Sequence, residues 1–154
     1  MSPDYTFEVP AGESNAQPDW SKAPSVLPDG ETTATLEATL IEAELRLLEK
    51  TNNLAVLAEF KVAAPHEEDP VEHSEWMTVL RNGKRHKMTP YEVSRIAVLT
   101  GLSPQQVQVG MEYTSNHDKF NEVLSRRCGA VFRLTFVRKA GSQYTNITKI
   151  EELA

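Results

Sequence analysis

The segment that most constrains the fold runs from Glu31 to Leu48, where apolar and polar residues alternate. Its first half places four apolar residues on one side, as in a half-buried strand: Ala34, Leu36, Ala38 and Leu40. From Ile41 onward the apolar residues fall one position out of phase. Helix is the competing interpretation, because Leu, Ala and Glu are good helix formers, but the threonine-rich start favours a strand. A one-residue slip in a period of two indicates a β-bulge in a long, strongly bent strand.

Two more alternating segments follow this strand. The residues from Leu54 to Ala63 predict a second strand, and those from His73 to Arg81 predict a third that ends at an Asn-Gly turn. The period then changes. Thr89-Pro90-Tyr91-Glu92 has the pattern of a capping box with proline at the first helical position, and Gly101 supplies a stop.

Two further helices and a hairpin complete the predicted order. Ser103 repeats the helix-start signal, and a third helix is expected from Asp118 to Arg127. Two alternating segments, 130–140 and 143–153, then form a hairpin around Gly141-Ser142. Three strands, a helical insertion and two strands predict a mainly β fold, a five-stranded Greek-key barrel of the OB-fold type with its helices between strands 3 and 4.

The domain organisation follows from where proline is concentrated. Five of the nine prolines lie in the first 29 residues, without apolar periodicity, so residues 1–29 are expected to form a flexible arm and residues 30–154 the folded domain. A chain of 154 residues suits a single domain. The first ten residues lack the basic and apolar regions of a secretory signal, and a bilayer-spanning apolar run is not found. A single cysteine, Cys128, makes a reducing cytoplasm the expected compartment.

Catalytic chemistry finds little support in the sequence. The nucleophile elbow, the phosphate-binding loop, the dinucleotide fingerprint and the zinc-protease motif are all missing. The four histidines are scattered instead of sharing one helix face. We therefore expect a protein without catalytic residues, a metal site or a cofactor.

The net charge of −6 conceals a strong division along the chain. Residues 31–80 carry eleven acids and three bases, whereas residues 81–154 carry twelve bases and six acids. An uneven but ordinary solvated surface is one interpretation of this division. A basic surface for a polyanion is the other, because a polyanion responds to the local potential and not to the net charge.

Binding of single-stranded nucleic acid requires cations along a track and flat side chains on which bases stack. Four cations surround the Asn82-Gly83 turn, and a second basic group flanks Gly141. Trp76 is out of phase with its apolar neighbours, so it is either exposed to a ligand or at the edge of the core. Tyr144 is either a ligand contact or a strand-pairing aromatic. The candidate binding residues are Trp76, Arg81, Lys84, Arg85, Lys87, Tyr91, Arg95, Arg133, Arg138, Lys139 and Tyr144.

Several stretches of the chain carry a family resemblance. They are Pro28-Asp29-Gly30-Glu31, ATLIEAEL at 38–45, LAVLAEFKVA after Asn53, Trp76 with TVLRNG, Arg95-Ile96, Gly101-Leu102, Val123-Leu124, Gly129 and the ending VRKAGSQYTNITKIEEL. On these stretches residues 28–153 resemble phage-encoded single-stranded DNA-binding proteins of the OB-fold type. The resemblance implies sequence-tolerant binding of single-stranded DNA in phage replication or recombination, within the host cytoplasm. It also implies contacts with replication or recombination proteins.

Two other functions are compatible with the same sequence. The segment from Glu92 to Tyr113 resembles a helix-turn-helix of a double-stranded DNA regulator, although its second helix offers only glutamines to read bases. An OB-like module that binds protein, such as a phage inhibitor of a host enzyme, would use the acidic first half. The sequence does not distinguish a monomer from a homodimer.

Overall fold

The computed structural model describes residues 25–153, except 140, 141 and 143. Its strands are β1 (Thr33–Leu48), β2 (Asn53–Val62), β3 (Val71–Arg81), β4 (Lys84–Arg85), β5 (Val131–Arg138) and β6 (Thr145–Glu152). Its helices are α1 (Thr89–Thr100), α2 (Pro104–Glu112) and α3 (His117–Arg126), and a single 3₁₀ turn (Thr114–Asn116) precedes α3.

The strands form one antiparallel sheet in the order β4-β3-β2-β1-β5-β6. The long strand β1 is central because it pairs with β2 along its second half and with β5 along its first half. Its register against β2 shifts between Leu40 and Glu42, so the bulge predicted at Ile41 is confirmed. The slip lets both halves of β1 turn Ala38, Leu40 and Ala43 into the core.

The prediction of a mainly β fold with a helical insertion is confirmed, but the sheet differs from the expected five-stranded closed barrel. It has six strands, because residues after the Asn82-Gly83 turn add β4, and β3 and β6 do not pair with each other. Helix α1 packs against both of these strands. Its side chains bond to the strands' backbone: Thr89 donates to the Val79 carbonyl on β3, and Tyr91 donates to the Thr148 carbonyl on β6. A helix thus covers the edges that a closing strand pair would have satisfied.

The helix boundaries show which features depend on neighbouring residues and which depend on tertiary contacts. Ser103 and Gln106 form the capping box that was predicted, and Gly101 ends α1 in the left-handed conformation at φ 76°. The capping box predicted at Thr89 is wrong, because Met88 occupies the N-cap position without a side-chain bond. The Thr89 hydroxyl is instead committed to β3, 2.6 Å from the Val79 carbonyl oxygen.

The core lies between the sheet and the helices and includes residues on both sides of the predicted domain boundary. Phe60 and Phe132 are fully buried and meet edge to face, with ring centroids 6.3 Å apart. Val26 and Leu27 are also buried, although they precede residue 30. The packed chain therefore begins before the predicted boundary. The rest of the predicted arm, residues 1–24, and the predicted turn residue Gly141 lie outside the described residues.

Gly110 allows α2 and α3 to approach closely. A Cβ atom at this position would lie 2.6 Å from Cδ1 of the buried Phe120 ring. Replacing a helical glycine by alanine favours the helix by about 1 kcal/mol, but overpacking costs about 1–3 kcal/mol. We expect Gly110→Ala to lower the free energy of unfolding by about 1 kcal/mol in urea denaturation. The exposed Gln105→Ala on the same helix should change it little, and a stabilised Gly110→Ala protein would contradict the packing argument.

Candidate nucleic-acid interface

A cleft of about 410 Å³ opens where α1 lies between β3 and β6, and we call it the α1 cleft. Four of the eleven candidate binding residues line it: Trp76, Arg81, Tyr91 and Arg95. The other lining residues are Glu75, Thr78, His86, Met88, Glu92, Asn146, Ile147 and Thr148. The site therefore combines residues from β3 and α1, which are close in the sequence, with residues of the distant strand β6.

Two aromatic residues line the α1 cleft, and each has a guanidinium close to its ring. Trp76 on β3 is 44% exposed, and the Arg46 guanidinium carbon lies 5.8 Å from its ring centroid. Tyr91 on α1 has the Arg95 guanidinium carbon 5.0 Å from its ring centroid. The Tyr91 hydroxyl donates to the Thr148 carbonyl oxygen at 2.5 Å, which holds the ring in place. Burial raises the pKa of Tyr91, so its hydroxyl keeps its proton.

A buried ionic cluster forms the floor of the cleft. Arg95, 7% exposed, donates through Nη1 to Glu75 Oε2 at 2.9 Å and through Nη2 to both carboxylate oxygens of Glu92, at 2.7 and 2.8 Å. Nη1 also donates to the Ile147 carbonyl of β6. Glu75 Oε2 in turn accepts from the Ile147 N–H at 3.1 Å. One carboxylate and one guanidinium thus satisfy both backbone groups of Ile147, much as a neighbouring strand would.

Two opposing effects set the pKa values in this cluster: burial disfavours each charged form, and the ion pairs favour it. Burial raises the pKa of Glu92, and the attraction of the Arg95 guanidinium offsets only part of that rise. Burial acts to lower the pKa of Arg95, but hydrogen bonds to Glu75 and the charge of Glu92 outweigh it, so this pKa is raised. Arg95 is therefore a permanently charged clamp between β3, α1 and β6. A guanidinium so committed is not available to a phosphate, and we leave Arg95 out of the interface.

The turn between β3 and β4 presents the basic side chains beside the cleft. Asn82 and Gly83 adopt positive φ angles of 52° and 76°, as a two-residue hairpin requires. The cations around this turn are exposed: Arg81, Lys84, Arg85 and Lys87. Arg85 is already neutralised, because its Nη2 lies 2.6 Å from Glu112 Oε1. Arg81, Lys84 and Lys87 form no ion pair with a carboxylate of the described residues.

The second basic group does not join the α1 cleft. Arg133 lies on β5 in register with Glu37 of β1 and Glu151 of β6. Arg138 donates to Ser25 Oγ at 3.0 Å and to the Leu27 carbonyl at 3.1 Å, so it anchors the first described residues to the sheet. Lys139 is exposed next to it. These three cations were grouped by sequence, but the fold engages Arg138 elsewhere and places Arg133 between two glutamate positions of the neighbouring strands.

Tyr144 lines a smaller cavity that continues the α1 cleft along the same strands. This cavity, about 250 Å³, is lined by residues 72–74 of β3 and by Tyr144-Thr145, with Ser25, Val26 and Val71. The α1 cleft is lined by the next residues of the same strands, from Glu75 and from Asn146. Tyr144 is 74% exposed. Three aromatic residues therefore line these two adjacent cavities, which together we call the trough between β3 and β6.

Sequence reasoning missed several residues of this site. Arg46 backs Trp76, and Met88, Asn146 and Thr148 line the cleft. A signal existed only for Arg46, because the bulge at Ile41 turns the even-numbered residues of the second half of β1 away from the core. Its proximity to Trp76 depends on the register of β1, β2 and β3 together, which the sequence pattern does not reveal.

The fold and the cleft define the chain as a mainly β protein with one antiparallel sheet and a helix-covered trough between β3 and β6. Comparison with protein-family models, curated proteins and solved structures gave no match to this chain. None of the helices in the described part of the chain has the length and apolar character needed to cross a membrane. Within that same part, His, Cys, Asp and Glu side chains form no group of three or more able to hold a metal ion.

Proposed function

We propose that this protein binds single-stranded DNA without strict sequence preference, in the α1 cleft and along the trough that continues it. The observation that carries the proposal is the meeting of Trp76, Tyr91 and Arg81 in one open cleft, although they come from different elements. Stacking of a base on an aromatic side chain contributes about 1–3 kcal/mol and does not depend on which base is present.

The charges around the cleft support the same proposal. The carboxylates of Glu75 and Glu92 lie in the cleft lining, and each forms an ion pair with Arg95, at 2.9 and 2.7 Å. Exposed Lys84 and Lys87 flank the turn that borders the cleft. A phosphate backbone therefore meets cations at the rim, and the buried carboxylates do not face it as unpaired charges.

We include an OB-type fold and a phage replication or recombination role in the proposal. The OB-fold is a partly open Greek-key barrel whose strand 2–3 face and whose loop between strands 4 and 5 bind oligonucleotides. Here Trp76 lies on β3, and Tyr144 lies in the connection between the last two strands. The resemblance to phage single-stranded DNA-binding proteins supports the host cytoplasm as the place of action and replication or recombination proteins as partners.

A titration of fluorescent oligo-dT at two salt concentrations, with unlabelled duplex as competitor, tests the proposal. Binding to oligo-dT that weakens with salt and resists duplex competition is the expected result. Preference for duplex would favour the helix-turn-helix alternative, in which α2 would enter the major groove. One of its three glutamines, Gln106, is already held in the Ser103 capping box. Absence of any DNA binding would favour a protein-binding module.

The lysines of the β3–β4 turn carry a separate prediction. Each phosphate contact on a single strand contributes about 0.7 to the slope of log affinity against log salt concentration. We expect the double variant Lys84→Ala, Lys87→Ala to reduce this slope by about 1.4 in salt-dependent anisotropy titrations. Arg85→Ala is the matched control, because the Arg85 guanidinium is already paired with Glu112. Its removal should lower the salt slope by less than half of the change expected for each lysine. An unchanged slope in the lysine variant would place the phosphates elsewhere.

A further inference from the structure

We propose that the α1 cleft selects guanine at one position of the bound strand, with Arg81 donating to O6 and N7 while Trp76 stacks on the base. This inference rests on the proposed single-stranded DNA binding and identifies the base that its cleft recognises. All other positions of the strand remain sequence-tolerant.

The first argument is the state of the hydrogen-bond acceptors in the cleft. Both carboxylates in its lining are occupied: Glu75 accepts from His73, Arg95 and the Ile147 N–H, and Glu92 accepts twice from Arg95. His86 is also committed, because Nε2 bonds the Thr78 carbonyl oxygen at 2.7 Å and Nδ1 accepts from the Met88 N–H at 3.2 Å. The charged acceptors of the lining are therefore engaged, and a base edge that must donate is left with neutral acceptors such as the Thr78 hydroxyl and the Asn146 amide oxygen.

The second argument is the donor that remains. Arg81 lines the cleft, is exposed, and forms no ion pair with a carboxylate of the described residues. A guanidinium presents two parallel N–H groups in a planar fork, and guanine is the base whose O6 and N7 accept from both. Adenine pairs an acceptor with a donor at the same edge, and in thymine the N3–H donor separates the two acceptors. Unpaired cytosine also offers two adjacent acceptors, N3 and O2, so the choice between guanine and cytosine falls to the stacking ring.

The third argument is the neighbouring ring. Trp76 is partly exposed in the same cleft, and Arg46 lies against its ring at 5.8 Å from the centroid. A purine covers more of an indole than a pyrimidine does, so stacking and the Arg81 fork favour the same base.

The test uses a dT oligonucleotide with one central dG, dA, dC or 7-deaza-dG, titrated by anisotropy with the full chain. We expect the dG oligonucleotide to bind at least about fivefold tighter than the dA oligonucleotide, because a bidentate arginine–guanine pair discriminates by about 1–3 kcal/mol. It should also bind tighter than the dC oligonucleotide, because a pyrimidine covers less of the indole. The 7-deaza-dG oligonucleotide, which lacks the N7 acceptor, should lose most of that gain.

The variants separate base recognition from general affinity. Arg81→Lys keeps the charge but not the fork, so its affinity for the dG oligonucleotide should fall more than its affinity for the unsubstituted dT oligonucleotide, and the preference for dG should be lost. Lys84→Gln should weaken all oligonucleotides equally and keep the preference. Equal affinities for the four substituted oligonucleotides, with tight dT binding, would overturn the guanine proposal alone. Failure to bind any of the oligonucleotides would overturn the proposed function.

Discussion

Replacement of Arg95 by methionine is expected to lower the free energy of unfolding by about 3–5 kcal/mol, because it leaves buried carboxylates without their counter-charge. Glu75 and Glu92 are 6% and 8% exposed, and both depend on this guanidinium. The Ile147 carbonyl on β6 would lose its donor as well. Urea denaturation followed by circular dichroism measures the change.

Two further variants show whether the loss comes from buried charge. Arg46→Met removes an arginine whose ion pair with Glu44 is about half exposed, and it should cost less than about 1 kcal/mol. Adding Glu92→Leu to Arg95→Met removes one stranded carboxylate and should restore part of the stability. A cost for Arg95→Met similar to that for Arg46→Met would show that the cluster does not hold α1 against the two strands.

Replacement of Trp76 by alanine is expected to raise the dissociation constant for oligo-dT by about 5- to 150-fold, equivalent to about 1–3 kcal/mol. The indole is exposed to 44%, so its removal takes little from the core, and the free energy of unfolding should change by much less than for Arg95→Met. Anisotropy at constant salt measures the affinity, and urea denaturation verifies the fold.

The control for this variant is another exposed aromatic residue. Tyr113, 61% exposed at the end of α2, does not line the α1 cleft, so Tyr113→Ala should leave the affinity unchanged. Trp76→Phe keeps a flat ring and should retain most of the binding. If Trp76→Ala bound oligo-dT with unchanged affinity, the α1 cleft would not be part of the DNA-binding site, even though the protein would still bind the strand through its cations.

The stability prediction and the binding prediction are linked through α1. Arg95 holds the helix between β3 and β6, and the same guanidinium lies against the ring of Tyr91 in the cleft wall. The cleft therefore exists because a helix stands between β3 and β6, and these two strands do not pair with each other. A fully paired barrel would have closed the space that we propose for the base.

Local features of this fold were readable from the sequence because they depend on neighbouring residues. The bulge at Ile41 follows from a phase slip within one strand, and the Ser103 capping box follows from a contact between residues three apart. The turn at Asn82-Gly83 follows from the positive φ angles that these residue types accept, although the short strand β4 that it leads to was not predicted. Each of these predictions is confirmed.

The roles of the cations were not readable, because a side chain's partner is set by residues far away in the sequence. Arg85, Arg95 and Arg138 looked like equivalent members of basic groups. The fold pairs Arg85 with Glu112, buries Arg95 against Glu75, and bonds Arg138 to Ser25, across 27, 20 and 113 positions respectively. Composition records the number of charges, whereas their availability depends on these distant partners.

The sequence by itself determined the alternation of the strands, the bulge, the helix ends at Gly101 and Ser103, and the basic character of the second half. Only the tertiary structure decided that α1 would stand between β3 and β6, and that Trp76, Arg81 and Tyr91 would share one cleft. The physical reason is range. Backbone preferences act over a few residues, whereas the carboxylates that pair with a buried arginine can come from any part of the chain that the fold brings close.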